Sequence, residues 1–472
     1  MSNLLATLLN SSRALRTYDR VLDVTQNNVS NASTPSYVRQ RLELEAMPFD
    51  AAGGTLGGVW AGEVTSARNL YAEAAVRRRT TELGKQSQAV ESLKAIEAVV
   101  DTTGEAGIAG ALSGFYASLS NWSMSANSAS ARQEVLDQAS TVAASFRQAA
   151  AAVGGAARDA ESQLRETLNK INSLGGELQR LNHEARQGGK NDAGLDANLH
   201  AALEELSEYV DFSAMPQDDG SVTVLLAGQI PLVTADNRYE LSFSLQGAIN
   251  GTASAVVQTS DGTDITRNLT TGRIGALLDF RNRVIAQITG GPAQPGDLNR
   301  LAQAVADRVN TVLTEGRLND GPPPEAGLPL FVYDNVTGTN VAASLTTWDT
   351  LTPTDLAAID PGPPYVSNGI ALRLAALATP DDPIDKIDGF TFTEFYGLIG
   401  SRVGRDLNDA ETARQTQQSL VAQAKDLRAQ SSAVSLDEEA TILIQFQRSY
   451  QAMAQVLKVL DELTQDMIGI LR

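Results

Sequence analysis

Two apolar seams, one near each end of the chain, constrain the fold more than any other feature. Toward the C-terminus, Leu443, Tyr450, Leu457, Thr464 and Leu471 make one row, and Phe446, Met453, Leu460 and Met467 make a second. The rows interleave at alternating three- and four-residue steps, the spacing of a coiled-coil seam, broken only by Thr464. Near the N-terminus, residues 4–30 read as an amphipathic helix in which Leu8, Leu15, Leu22 and Val29 recur every seven positions, with Tyr18 and Thr25 on the same stripe. A helix of this length is marginal alone in water, so each stripe needs a partner. Each end offers one to the other, and the sequence predicts terminal helices that pair and enclose everything between them.

Between the seams the pattern changes several times. Asn31-Ala-Ser-Thr-Pro35 stops the first helix, because Pro35 biases the residue before it out of the helical region. Val38–Glu45 alternates as a strand, and the glycine-rich loop Gly53, Gly54, Gly57, Gly58 leads to a second strand at Val59–Ala67. No Lys-Ser/Thr follows those glycines and no helix starts there, so a hairpin is expected rather than a phosphate cradle. From Leu70 to about Ala185 the pattern is helical, with stripes through Val76, Leu83 and Val90 and through Ile108, Leu112, Phe115, Leu119 and Trp122. One very long helix is expected from Ala131, capped by Ser130, to Gln187, ended by Gly188, Gly189 and Gly194, with Leu195–Val210 as a shorter helix.

Composition shifts at Asp211, where Asp219-Gly220 and Asp261-Gly262 read as turns between β-rich runs. Helical pattern returns at Ile274–Ile288, Leu298–Leu313 and Thr393–Ala433, while the Pro- and Gly-rich residues 317–370 read as an irregular surface excursion. The expected fold is mainly α with a β insert, in an elongated multi-domain chain. Its parts would be a terminal coiled-coil domain (1–34 and 436–472), a helical body with a short hairpin (35–210 and 273–435) and a small β-rich domain (211–272).

Charge and residue usage exclude several functions. The 37 Lys and Arg against 56 Asp and Glu give a net charge of −19, which opposes binding to nucleic acid or to an anionic bilayer. No stretch approaches a membrane span, and MSNLLATLLNSSRAL has no basic region ahead of a long apolar run. There is no Cys, and the two histidines, His183 and His200, are expected on solvated helix faces. No triad, metal-binding or P-loop motif is present, so neither catalysis nor a cofactor is expected, and a secreted enzyme on a helical scaffold is the weaker alternative.

The ends also carry motifs. Gln26-Asn-Asn-Val-Ser-Asn-Ala-Ser-Thr-Pro-Ser-Tyr-Val-Arg-Gln40 resembles the segment that closes the N-terminal helix in flagellar rod, hook and hook-associated proteins. The matches are Asn27, Asn28, Asn31, Thr34, Pro35, Tyr37, Arg39 and Gln40, with Ser36 where the family usually has Gly. Tyr37-Val-Arg-Gln is similar to the hook-associated protein 1 family, whereas hook and rod proteins usually carry Gly-Phe-Lys there. Val434-Ser-Leu-Asp-Glu-Glu-Ala440, Phe446-Gln447, Tyr450 and Ala452 to Leu457 look like that family's ending. Gly58-Val-Trp-Ala-Gly-Glu-Val-Thr-Ser-Ala-Arg68 with Tyr71, Asp219-Gly220-Ser and Gly275–Arg281 are similar to its central regions.

The resemblance implies a structural subunit at the hook–filament junction, exported unfolded through the flagellar type III apparatus and extracellular once assembled. Implied partners are the hook protein, the filament-side junction protein, further copies in a ring, and an export chaperone at the C-terminal helix. The alternatives within this class are the hook protein and the filament-side junction protein themselves. A coiled-coil tether would carry longer uninterrupted heptads and no β insert. The assembly interface is expected on Leu8, Leu15, Leu22, Asn27, Asn28, Asn31 and Tyr37 at one end. At the other end it is expected on Leu443, Phe446, Tyr450, Met453, Leu457 and Leu460.

Overall fold

A computed structural model describes residues 2–50, 55–100, 107–189, 192–247, 253–291, 294–319, 321, 324–334 and 340–470. The chain opens with α1 (Ser2–Asn31). A hairpin follows, made of β1 (Gln40–Ala46), the two-residue strands β2 (Phe49–Asp50) and β3 (Thr55–Leu56), and β4 (Val59–Ser66). β1 pairs antiparallel with β4 from Gln40↔Ser66 to Ala46↔Val59, with a bulge between Leu42 and Leu44. Gly53 and Gly54 lie outside the described residues.

Then come α2 (Leu70–Glu97), α3 (Gly107–Met124) and α4 (Ala129–Glu184). The cap of α4 is Ser128 rather than Ser130, since the Ser128 hydroxyl accepts from the Ala131 amide at 3.3 Å. At its far end Gly188 takes φ 114°, a conformation that costs glycine little, and the chain leaves the helix. Asp192 caps α5 (Ala193–Tyr209), its carboxylate accepting from Gly194 N at 2.8 Å and Leu195 N at 3.1 Å.

The strands of residues 211–272 fall into two groups. β5 (Phe212–Pro216), β6 (Val222–Leu226), β7 (Ile230–Thr234) and β8 (Asn237–Arg238) form a four-stranded antiparallel sheet in sequence order. β9 (Leu241–Gln246) and β10 (Ser254–Thr259) form a separate two-stranded antiparallel sheet. An asparagine of α4 serves each group as a substitute strand edge. Asn182 accepts from Val222 N at 2.8 Å and donates to its carbonyl at 2.9 Å. Asn172 does the same for Leu241 at 2.9 and 2.8 Å. With their backbone groups met by helix side chains, the strands have no need to join one sheet.

The remaining elements are α6 (Gly272–Asp279), α7 (Ile285–Thr289), α8 (Asp297–Glu315), β11 (Phe331–Val332), α9 (Val341–Ser344), β12 (Thr346–Thr347), α10 (Gly369–Ala376), α11 (Phe392–Ser432) and α12 (Leu436–Ile470). The chain divides into two compact units. One, here the body unit, is Glu82–Asn172 with Glu240–Thr416; the terminal unit is Met1–Thr81, Ser173–Tyr239 and Gln417–Arg472.

In the body unit the expected stripe of α3 is the centre of the core: Ile108, Leu112, Phe115, Leu119 and Trp122 are all buried. The segment 317–370 is not a surface excursion. Leu330, Phe331, Val341, Leu345, Leu356 and Ile370 are buried, and the Phe331 ring meets Phe115 edge-on at 6.0 Å. Polar side chains satisfy its irregular backbone: Asn310 Oδ1 accepts from both Leu330 N and Phe331 N at 2.8 Å, and Arg147 donates to the Leu345 carbonyl. Pro322 and Pro323 lie outside the described residues.

Candidate assembly interface

In the terminal unit α1 packs on the β1–β4 hairpin and along α12. Its buried stripe is Ser11, Ala14, Thr17, Val21, Thr25 and Asn28, none more than 8 % exposed. All but Val21 are small or polar. Beside the stripe Gly58 leaves room for the Asn10 side chain, since a Cβ there would lie 2.2 Å from the Asn10 Oδ1. The expected leucines Leu8, Leu15 and Leu22 are half-buried beside this stripe, and Val29 is exposed.

α1 and α12 run antiparallel, since Asn28 meets Glu439 while Tyr18, further back along α1, stacks on Phe446 further along α12 at 5.7 Å between centroids. The expected seam is the less exposed side of α12: Leu443, Phe446, Met453, Leu457, Leu460 and Thr464 are half-buried, while Tyr450 and Met467 are exposed. Leu471 lies outside the described residues. A second set on the same helix, Ile444, Val456, Val459 and Leu463, stays 47–53 % exposed.

The two motifs meet at Asn28. Its Oδ1 accepts from Gln40 N at 2.9 Å and from the Tyr37 hydroxyl at 3.0 Å. Its Nδ2 donates to the Gln40 carbonyl at 2.9 Å and to Glu439 Oε2 at 3.1 Å. Asn27 Nδ2 donates to the Tyr37 oxygen at 3.2 Å, and Asn31 Nδ2 donates back to the Asn27 carbonyl at 3.0 Å, closing the helix end. Arg39 pairs with Glu438 at 2.6 Å and Glu439 at 2.7 Å, and its amide donates to the Ser432 carbonyl at 3.0 Å.

Glu439 is 1 % exposed, so its charge is tolerable only because Arg39 and Asn28 both address it. Burial, reinforced by the negative charge of Glu439, raises the Tyr37 pKa and keeps its hydroxyl a donor. Ser36 takes φ 57°, so the backbone that the family usually builds with Gly is present with a side chain on it.

Of the residues expected at this interface, the structure gathers Asn27, Asn28, Asn31 and Tyr37 into one network. Arg39, Gln40 and Glu439 belong to it too and were legible only as motif letters. Glu439 reads in sequence as one more acid favouring the first turn of a helix, beside Asp437 and Glu438. Among the described residues no group of His, Cys, Asp and Glu is arranged to hold a metal, and no helix is long and apolar enough to cross a membrane.

Motifs from opposite ends of the chain thus complete one hydrogen-bonded element with an apolar face left open. A model of the flagellar hook-associated protein FlgK helical domain matches residues 93–331, just over half of the chain, and a model of the flagellar basal body rod FlgEFG protein C-terminal region matches 428–470. The flagellar hook-associated protein 1 of Bacillus subtilis is 26% identical over 97% of this chain and 96% of its own length. That of Salmonella typhimurium is 21% identical over 99% and 100%. The structure of the flagellar hook junction protein FlgK from Burkholderia pseudomallei superposes with a TM-score of 0.63 at 15% identity, covering 76% of this chain and all of that one. The chain belongs to the flagellar hook-associated protein FlgK family, structural proteins of the flagellum at the hook–filament junction.

Proposed function

We propose that this chain joins hook to filament through α1 and α12, as a non-enzymatic subunit that packs against further copies of itself. The hook protein would lie on one side and the filament-side junction protein on the other. The assembly segments are residues 1–34 and 436–472, joined to the rest of the terminal unit at the Asn28 network. The observation that carries this reading is the outer face of α12, where Ile444, Val456, Val459 and Leu463 remain about half exposed in a single chain. Fully burying one such side chain contributes ~1.5–3 kcal/mol, so neighbours can supply what the lone subunit lacks.

Before assembly the chain is cytoplasmic, and it is then exported unfolded to the outside through the flagellar type III apparatus. The same apolar helix suits an export chaperone that binds a helix in a groove. Complementation tests the reading: cells lacking their own junction protein are given this gene, and filaments attached to hooks are counted by electron microscopy. Complemented cells are expected to carry attached filaments. Hooks that stay bare, with the protein exported and folded, would refute it.

A further inference from the structure

Arg68 follows the hairpin and takes no part in the Asn28 network, yet it is among the most fully bonded side chains of the terminal unit. Its side chain is 4 % exposed and donates to Glu73 Oε1 at 2.6 Å. It also donates twice to Asp196 Oδ2, at 2.9 and 2.7 Å, and to the Ser36 carbonyl at 2.8 Å. The other oxygen of Glu73 accepts from Arg428 at 3.0 Å, and Arg428 reaches on to Glu204 at 2.7 Å. Lys425 pairs with Glu204 at 2.9 Å. Charges therefore alternate from Arg68, just after the hairpin, to the last turns of α11.

Every element packed at this ladder contributes. α2 brings Glu73 and Arg77, α5 brings Asp196, His200 and Glu204, and α11 brings Lys425 and Arg428. His200 is buried, not on a solvated face. Burial first, then the charges of Arg68, Arg77 and Arg428, push its pKa down to about 2, so it stays neutral. Arg68, Arg77 and Arg428 then stand against Glu73, Asp196 and Glu204 in balance, with Lys425 at the more exposed end. Beside the ladder, Asn69 N donates to Ser432 Oγ at 3.3 Å and Ala67 N to the Arg39 carbonyl at 2.9 Å.

We propose that Arg68 is the positioning residue of the assembly element, fixing through this ladder both the loop that receives α1 and the end of α11 that leads into α12. This rests on the reading of the terminal segments as assembly segments. The guanidinium of Arg68 makes four donor contacts, to Glu73, twice to Asp196 and to the Ser36 carbonyl, one more than the three donors of a lysine ammonium and spread over a rigid fork that a lysine lacks. Removing one member of a buried ladder leaves the others as unpaired charges.

The test compares the full-length protein with Arg68→Lys, Arg68→Met and Arg428→Met by hydrogen exchange, by melting of the body unit and by filament attachment in complemented cells. In all three variants, amides in residues 36–41 and 428–435 should exchange on the order of a hundredfold faster. Exchange in α3 and α8 and melting of the body unit should not change, and attached filaments should be lost. Unchanged exchange in Arg68→Met, or wild-type exchange in Arg68→Lys, overturns the proposal. So does an equal loss of protection in both units, which would make Arg68 ordinary core. If exchange quickens as expected but filaments attach normally, the ladder stands and the assembly role of the terminal segments falls, taking the positioning role with it.

Discussion

Trp122 in α3 and Leu457 in α12 are both large apolar residues on regular helical stripes, but only Trp122 is fully buried. In α3 the stripe is enclosed on every side by the same chain. Among the described residues of α12 the single buried one is the charged Glu439, and the apolar residues beyond it are half-buried or exposed. Helical periodicity reports that a face will be covered and is silent on which molecule covers it. Burial in the single chain separates the two cases: one stripe is closed within the fold, and the other leaves apolar side chains open, which is the basis of the proposed contact between chains.

The sharpest way to break this contrast is Leu457→Asp. We expect it to abolish filament attachment, because it sets an unpaired charge in a packed seam at a cost of several kcal/mol, while the melting transition of the body unit stays where it was. Normal filaments would show that the seam is not an assembly surface. Conversely, Trp122→Ala should destabilise the body unit by ~3–5 kcal/mol through lost burial and a residual cavity. A calorimetric loss under about 1 kcal/mol would show that α3 is no better enclosed than α12.

Asn28→Ala tests the junction between the two regimes. It strands the buried Glu439 oxygen, the Gln40 amide and the Tyr37 hydroxyl, and should cost ~1–3 kcal/mol in the terminal unit alone. The Tyr37 contribution has a definite pH sense. A raised folded pKa means it is fully present below the unfolded value near ~10 and is lost as pH rises through the folded one. Tyr37→Phe should therefore remove part of the alkaline destabilisation that the parent protein displays in a pH-dependent urea titration. The smallest expected effect is a gain: Ser36→Gly relieves a side chain at φ 57° and should stabilise the terminal unit by about 1 kcal/mol. A loss instead would mean the serine is held there by contacts worth more than the strain.

Much of the fold was legible because its signals are local. The α3 stripe, the hairpin, α5 and the α12 seam all follow from spacing and turn residues. What escaped was decided by partners distant in sequence. Periodicity counted Leu8, Leu15 and Leu22, while among the described residues the side chains buried in α1 are Ser11, Ala14, Thr17, Val21, Thr25 and Asn28, nearly all of them small or polar. Counting small residues at helical spacing would have found most of them. Residues 317–370 looked external for want of regular pattern, but side chains such as Asn310 supply the hydrogen bonds that a ladder would have supplied. His200 lies within a charged sequence whose charges turn inward to neutralise one another, and no local reading distinguishes that from a wet surface.

The bond between Asn28 and Glu439 spans 411 positions of sequence. A contact of that separation forms only when both ends of the chain are present. Any subunit broken off before Glu439 leaves Asn28 and Arg39 without the carboxylate they were shaped to hold. The outer face of α12 would be missing from it as well. The Asn28 network therefore needs both ends of the chain, and a truncation before Glu439 cannot complete it.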